Sequence, residues 1–334
     1  SYRSRTTAAP LTPSPASALL TMLPASDAVA FLDARRALVE VMPQAFTNDA
    51  STLARINQEI DKLKEHTGTD ARSIESIAIG ARLKDGTMRP DFIVGLVRGQ
   101  FSASDAITNG LAKARAQAEA KKRTFQSKEE QYDGATIYSV DRTGGFGMAA
   151  VDSNTIAFGD VSGIKAMLDA RTGKGARVDS SLVELATLNA SAVAGFAANV
   201  PASAAQKFMG GDASGAPFNS IRQVYGSADA VGNMGSLSIT LRSETGEQAQ
   251  SLAEKLSSLK QLASFYFSRS SQQTSSGQLG TLTADPQNGA QTALRGLPFP
   301  SKWIKDVTIT AEGQDVKLRL EEPLTDVAGV LRIR

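Results

Sequence analysis

The side chains of this chain that could act as catalytic groups or metal ligands are almost all carboxylates. The sequence contains no Cys and a single His, His66, among 334 residues. Without Cys the chain forms no disulfide, no thiolate nucleophile and no Cys-ligated metal site. His66 lies at the end of a predicted helix, where an imidazole complements the terminal carbonyl groups. A Ser-His-Asp triad would have to use this residue, and a metal site would have no second imidazole, so we expect a surface or capping role for it.

Asp and Glu alone support glycoside hydrolysis or oxygen-ligand metal sites. The adjacent pairs Glu129-Glu130 and Glu321-Glu322 are poor candidates, because neighbouring side chains rarely converge on one point. No Asp-x-Asp-x-Asp-Gly calcium loop occurs in the sequence. We therefore expect no catalytic residue and no metal site, and predict that the protein is not an enzyme.

Two glycine-containing segments match nucleotide-binding motifs in part. Gly145-x-Gly147-x-x-Ala150 has the spacing of a dinucleotide fingerprint but lies between two strand-like segments, without the helix that holds the pyrophosphate. Gly173-Lys174-Gly175 follows a predicted helix, whereas a phosphate-binding loop follows a strand. The first segment predicts a hairpin and the second a helix C-terminus, so no cofactor is expected.

Nucleic acid is not an expected partner. The 36 Lys and Arg residues nearly balance the 34 Asp and Glu residues, which leaves a net charge of +2. The densest basic run, Lys121-Lys122-Arg123, ends a predicted helix, where cations complement the macrodipole. The charge pattern therefore predicts a solvated helix end rather than a polyanion site.

Aromatic residues are the better functional candidates. Phe265, Tyr266 and Phe267 point in three directions around one helical turn, or to both faces of a strand, and a single core cannot easily bury all three. Phe299 and the single Trp, Trp303, lie beside prolines before the last predicted strand pair. Aromatic anchors are enriched in interfaces, so these five residues form a candidate interface. The alternative is that each of them closes a hydrophobic core.

The elements that would position these residues occur in a similar order twice. Ala28-Val29-Ala30 at the start of one predicted strand recurs as Ala192-Val193-Ala194. The order strand, helix, strand, strand, helix, strand is typical of a split β-α-β-β-α-β unit, an antiparallel sheet with helices on one face. We predict an α+β protein with this internal repeat, consisting of two related lobes of that type.

The predicted domain boundaries follow from length and composition. A chain of 334 residues exceeds the roughly 250 to 300 residues at which one core stops growing. Residues 1–23, rich in Pro, Ser, Thr and Ala, are expected to form an N-terminal tether, because they offer little apolar surface. The first lobe is expected at residues 24–175 and the second at residues 182–334.

The strand predicted at residues 74–83 has two different faces. Ile77, Ile79 and Ala81 alternate with Ala78 and Gly80. The larger apolar side chains predict that the isoleucine side is the buried one.

The segment Leu23-Pro24-Ala25-Ser26-Asp27-Ala28 resembles the start of a loosely defined group of uncharacterised bacterial exported or envelope proteins, in which Leu-Pro-Ala-x-Asp-Ala leads into a strand. The similarity covers roughly the first half of the chain, and a fainter similarity begins at Leu188. The resemblance implies a location outside the cytoplasm, in the periplasm or cell envelope, and it carries no catalytic residues.

We predict a noncatalytic, extracytoplasmic binding or scaffold protein, including the case of an accessory subunit docked on a membrane-anchored complex. Its expected partner is a protein. The sequence has no apolar stretch of about 18 residues, so no transmembrane segment is predicted, and a targeting or anchoring segment is expected to be absent from this chain. The alternative is a small-molecule carrier, or a carboxylate-based hydrolase, with a cleft between the lobes. Converging carboxylates would favour the alternative, and a flat apolar patch would favour the first hypothesis.

Overall fold

The computed structural model describes residues 15–84, 87, 89–140, 145–202, 216–273 and 301–330. The strands of the protein form a single antiparallel sheet. The sheet has twelve strands within these residues. They are β1 (Ala28–Asp33), β2 (Ile74–Leu83), β3 (Pro90–Gly99), β4 (Lys128–Tyr132), β5 (Ala135–Ser139), β6 (Phe146–Ala150), β7 (Thr155–Asp160), β8 (Ala194–Asn199), β9 (Ile221–Val231), β10 (Met234–Ser243), β11 (Thr308–Glu312) and β12 (Asp315–Pro323). The predicted α+β class is confirmed at this level.

The helices lie between the strands and at their ends. The α-helices described are α1 (Pro15–Leu20), α2 (Ala34–Arg36), α3 (Met42–Ala45), α4 (Ala50–Thr67), α5 (Ala103–Ala120), α6 (Val161–Thr172), α7 (Ser180–Ala186), α8 (Gly246–Gln273) and α9 (Leu324–Val330). A π-helical turn (Ala37–Val41) joins α2 to α3, and short 3-10 helices occupy Ala71–Ser73, Ala216–Ser220 and Ser301–Asp306. Gly68 and Gly173 end α4 and α6 in the left-handed conformation, as their positions after predicted helices indicate.

The strand order joins the two halves of the chain in one sheet. It runs β11-β12-β10-β9-β8-β1-β2-β3-β7-β6-β5-β4, so that β1 and β8 are antiparallel neighbours at the junction. The chain leaves β1 through α2, α3 and α4 and returns as β2, the direct antiparallel neighbour of β1. The predicted split β-α-β-β-α-β arrangement is not confirmed, because in that arrangement another strand separates the two strands that the helix connects.

The sheet has two faces with separate hydrophobic cores. We call the face that carries Val29 and Phe31 the first face, and the opposite face the second face. On the first face α1, α6 and α7 pack over β1, β2, β3 and the strands that follow them, with Leu19, Ile164 and Leu182 fully buried. On the second face α8 packs over β10, β11 and β12. Each core forms because the covering helix presents an apolar stripe to apolar alternate positions of the strands.

The N-terminal boundary of the folded protein lies earlier than composition predicts. Residues 15–23 fall within the predicted tether, yet α1 and the turn after it place Leu19, Leu20 and Leu23 in the first-face core, all three fully buried. Three leucines offset the ordering entropy of a short segment when a preformed sheet covers them. Residues 1–14 lie outside the described residues.

The junction of β1 and β8 requires a residue without a side chain at Gly195. A Cβ at this position would lie 2.1 Å from the carbonyl oxygen of Ala186, at the end of α7, and 2.5 Å from the ring of Phe31. The carbonyl belongs to the backbone and cannot rotate away, so α7 can reach the sheet only if residue 195 is glycine.

Gly195→Ala should therefore lower the free energy of unfolding by about 1–3 kcal/mol, the usual cost of overpacking. Urea unfolding measures this difference. Gly110→Ala in α5 is the matched control, since its Cβ would meet only the Thr67 carbonyl oxygen at 3.6 Å, and alanine favours a helix. Equal stability of the two variants would contradict the tight packing of α7 on β8.

Candidate functional site

Three large apolar side chains are exposed on the second face of the first-half strands. They are Ile79 on β2, Ile93 on β3 and Phe146 on β6, which are 39%, 44% and 43% exposed. The half-buried Met148 and Phe158 lie between them on the same face. We call these five residues the apolar face.

An aromatic ring over a glycine makes the middle of the apolar face flat. Gly95 on β3 is opposite both Ile79 and Phe158 in the sheet. A Cβ on Gly95 would lie only 2.2 Å from the Phe158 ring, so the ring covers the bare backbone of β3. This contact shields the strand and leaves a broad, low apolar surface between Ile79 and Met148.

The buried side of β2 is the opposite of the one that its sequence predicts. Ala78 and Gly80 are buried on the first face, whereas Ile79 is exposed on the second. The reason is the close approach of the segment after α1: a Cβ on Gly80 would lie 2.7 Å from the Ser26 hydroxyl oxygen and 3.3 Å from Leu23. Close packing selects small residues on this side, and the larger isoleucines face away.

One carboxylate lies within the apolar face. Asp160 is the last residue of β7. It is directly opposite Phe146 on β6, and it follows Gly159, which pairs with Val94 on β3. Its Oδ2 accepts a hydrogen bond of 2.6 Å from the backbone N–H of Ile93. Its other oxygen has no hydrogen-bond partner within the part of the chain that the structure describes, so it can accept a donor from outside.

The first face of the second-half strands is polar and holds a cavity. Its volume is about 290 Å³, and it lies between the C-terminal end of α7 and strands β9, β10 and β12. The side chains that determine its chemistry are Leu185, Leu188, Ser227, Ser238, Arg319 and Glu321.

Tyr225, which lines this cavity, forms a hydrogen-bond network with Arg242 and Asp315. Asp315 accepts two hydrogen bonds from Arg242, at 2.8 and 3.0 Å, and one from the Tyr225 hydroxyl at 3.0 Å. The guanidinium also lies 5.3 Å from the centre of the Tyr225 ring. The Arg242 hydrogen bonds lower the pKa of Asp315, despite its partial burial. Burial and the hydrogen bond to Asp315 raise the pKa of Tyr225, so the phenol stays neutral.

A second hydrogen-bond network connects the first face of the second-half strands to α2, the helix that follows β1. Arg36 donates to Asp229 Oδ1 at 3.0 Å and to the Ala230 carbonyl oxygen at 2.7 Å, and the Ser191 hydroxyl donates to Asp229 Oδ2. Burial alone would raise the pKa of Asp229, but hydrogen bonds from Ser191, the Ala230 N–H and Arg36 lower it. Asp229 is therefore a charged structural link between β9 and the residues that follow β1.

Two of the five predicted interface residues have side chains in the described part of the structure. Phe265 on α8 is 58% exposed, and Trp303 is half-buried against the second-face core. Tyr266 and Phe267 belong to α8, but their side chains lie outside the described part of the structure, as does the whole of Phe299.

The paired carboxylates do not converge. Glu130 forms an ion pair with Lys165 at 2.6 Å, and Glu129 is exposed. Glu321 and Glu322 follow each other on a strand and thus point to opposite faces. Within the described ranges no three His, Asp or Glu residues group to hold a metal ion. No helix described is both long and apolar enough to cross a membrane.

Comparisons with known proteins give structural neighbours only. No protein-family model matches the chain, and no curated protein matches it. The chain is similar to crystal form III of TP0453, with a TM-score of 0.43 at 10% identity, over 93% of this chain and 96% of that one. For crystal form I the TM-score is 0.42 at 9% identity, with 93% and 95% covered. For crystal form IV it is 0.45 at 9% identity, with 94% and 96% covered.

Asp315→Asn should lower the free energy of unfolding at pH 7 by about 1–2 kcal/mol, because charged hydrogen bonds to Arg242 are weakened and Arg242 is partly solvated. The folded-state pKa of Asp315 is lowered. Its contribution is therefore complete above the ordinary carboxyl pKa of about 3.9 and is lost as the pH falls through the folded value. Urea unfolding from pH 7 to pH 3 should show the two proteins converging in acid. Asp91→Asn, at an exposed position, is the control, and a difference that stays constant with pH would contradict the assignment.

Proposed function

We propose that this protein is a noncatalytic binding or scaffold protein that holds a protein partner on the apolar face. The observation that supports this proposal is the exposure of Ile79, Ile93 and Phe146 on one face of one sheet. Single exposed apolar residues are common on soluble proteins, but a contiguous group on a sheet marks an interaction site.

Binding of a partner to the apolar face is favourable because it removes apolar surface from water. Each Å² of apolar surface removed from water contributes roughly 25 cal/mol, and a few well-packed residues near the centre of an interface dominate its affinity. Phe158 over Gly95 makes the surface flat, which suits a partner with its own flat apolar patch. Such a surface gains affinity by shape complementarity rather than by enclosing a small molecule.

Asp160 defines the partner's chemistry more closely. The carboxylate oxygen of Asp160 that has no partner among the described residues lies between the rows of Ile93 and Phe146. Covering this oxygen with an apolar surface would leave a charge unpaired, which is costly. The proposed partner therefore combines apolar side chains with a Lys or Arg placed to reach Asp160.

The proposed location is extracytoplasmic, in the periplasm or cell envelope, and the proposed partner includes a membrane-anchored complex on which this chain is an accessory subunit. The Leu23-Pro24-Ala25-Ser26-Asp27-Ala28 resemblance supports the location. The absence of Cys is compatible with the cytoplasm as well as with the periplasm, so it does not support the proposed location.

We further propose that the two halves are related lobes of an internal repeat. A helix on the first face precedes both β1 and β8, and the hairpins β2-β3 and β9-β10 follow. After each hairpin comes a long helix, α5 or α8, and then a strand that pairs with the second hairpin strand, β7 with β3 and β12 with β10. These correspondences support a duplication in which the first half has two additional strands.

Ile93→Ser should abolish partner retention while changing the free energy of unfolding by less than about 0.5 kcal/mol, as for a surface position. The measurement is affinity purification of the tagged full-length chain from its native envelope after crosslinking. Val231→Ser, which alters an aliphatic residue that is 71% exposed on the β9-β10 hairpin, is the control. A protein retained by wild type and by Val231→Ser but lost with Ile93→Ser supports the proposal. Equal retention by both variants contradicts it, and so does a wild-type homodimer that Ile93→Ser converts to monomers.

The aromatic residues predicted from sequence should separate into two classes. Trp303→Ala is expected to cost about 2–4 kcal/mol of stability, somewhat less than a fully buried Trp, because the ring packs against the second-face core. Phe265→Ala should change the melting temperature little, since its side chain is mostly exposed. Thermal unfolding tests both, and partner loss with Phe265→Ala would extend the interface to α8.

A further inference from the structure

We propose that the cavity on the first face binds a small hydroxylated carboxylate, of the class of sugar acids. This site is separate from the apolar face, which lies on the other side of the sheet and in the other half of the chain. The inference does not depend on the protein partner.

The floor of the cavity is a row of polar side chains from three neighbouring strands. Ser227 on β9 is directly opposite Ser238 on β10, which is directly opposite Arg319 on β12. Opposite residues of antiparallel strands point to the same face, so these three side chains lie side by side. Strand spacing sets the row's length at about 10 Å, and the next row, which contains Ser236 and Glu321, lies about 7 Å along the strands.

The hydroxyl groups of this floor are available to a ligand. The Ser227 and Ser238 side chains are half-buried, and neither hydroxyl bonds to another residue in the described ranges. A hydroxyl group both donates and accepts, so each serine can pair with an alcohol of a ligand. Without such a ligand, these two hydroxyl groups form hydrogen bonds only with solvent.

Arg319 and Glu321 differ from the other charges of this face. On the same strand, Asp315 is paired with Arg242, and Lys317 is paired with Glu312. Arg319 and Glu321 are exposed, and neither forms an ion pair or a side-chain hydrogen bond with a described residue. A guanidinium at the end of a row of hydroxyls matches a planar carboxylate in two parallel hydrogen bonds.

Glu321 narrows the choice of anion. Its carboxylate repels a doubly charged phosphate near Arg319, whereas it accepts a hydrogen bond from a ligand alcohol. A molecule with one carboxylate and several hydroxyl groups satisfies both residues. Phosphorylated ligands and inorganic phosphate fit this site less well.

Two leucines complete the site. Leu185 on α7 and Leu188 in the turn after it form the apolar wall of the cavity, and Leu188 is 71% exposed. A sugar ring has C–H groups that can cover such a wall while its alcohols face the serines. The volume of about 290 Å³ is at the small end of ligand sites, which suits one monosaccharide unit.

The test is titration calorimetry of the full-length protein with glucuronate, galacturonate and gluconate as probes. We expect saturable binding of at least one of them. Arg319→Gln should weaken it at least tenfold and Ser238→Ala about threefold, with little change in melting temperature, because neither side chain forms a hydrogen bond or an ion pair with a described residue. Arg319→Lys, which retains charge without the planar fork, should be intermediate. Arg123→Gln, an exposed arginine beyond the end of α5, is the matched control.

Neutral glucose and cyclohexanecarboxylate separate the two parts of the recognition. Glucose that binds as tightly as glucuronate would overturn the role of Arg319, and cyclohexanecarboxylate that does so would overturn the role of the serines. Absence of saturable binding for all three sugar acids, or equal affinity in Arg319→Gln and Arg123→Gln, would overturn the site. Ile93→Ser should bind the probes as wild type does, so failure here is distinguishable from failure of the partner hypothesis.

Discussion

The antiparallel pairing of β1 with β8 is the interaction on which the architecture depends. It joins strands that are more than 160 residues apart in the chain, and it lets one sheet extend through both halves. Helix α7 packs on this junction only because Gly195 has no side chain, which leaves room for the Ala186 carbonyl oxygen and the Phe31 ring. Arg36 reinforces the junction by reaching across the end of β8 to Asp229 on β9. The contacts at Gly195 and Arg36 thus connect the end of α7, the sheet and the helical segment after β1.

A continuous sheet with its main cores on opposite faces has a further consequence. Helices α1, α6 and α7 cover the first face of the first half and the junction, whereas α8 covers the second face of the second half. Each half therefore leaves part of the opposite face open. The open part is apolar in the first half, with Ile93 exposed, and polar in the second half, where Ser238 and Arg319 line the cavity. The two proposed sites follow from this diagonal arrangement.

Much of the element order was predictable, because helix periodicity and glycine stops are local signals. The helix end at Gly173 and the strand Ile74–Leu83 are examples. The buried face of β2 was not predictable, because its larger apolar side chains favour the side of Ile77 and Ile79, whereas the choice depends on Leu23 and Ser26, about 55 residues earlier. Strand β9 has only a weak signal in the sequence, since Gly226 and Ala228 lower its β propensity. Tertiary contacts decided these cases.

The candidate sites depend even more on long-range pairing. The alternation of Ser236, Ser238 and Thr240 with apolar residues is a local signal for one polar face of β10, but nothing local places Arg319 next to it. Sequence reasoning instead favoured the aromatic residues, of which Trp303 packs against a core.

Two carboxylates on the first face of the second-half strands have structural roles. Asp229 and Asp315 each have a lowered pKa and are fully engaged with an arginine and a hydroxyl group, so they stay charged and hold strands together. A general acid requires the opposite, a carboxyl group whose pKa is raised toward neutrality. The charges left open, on Arg319 and Glu321, are on neighbouring positions of one strand face and carry opposite sign. They suit recognition of a ligand that has both an anionic group and hydrogen-bond donors, and they leave the strand network intact whether or not that ligand is bound.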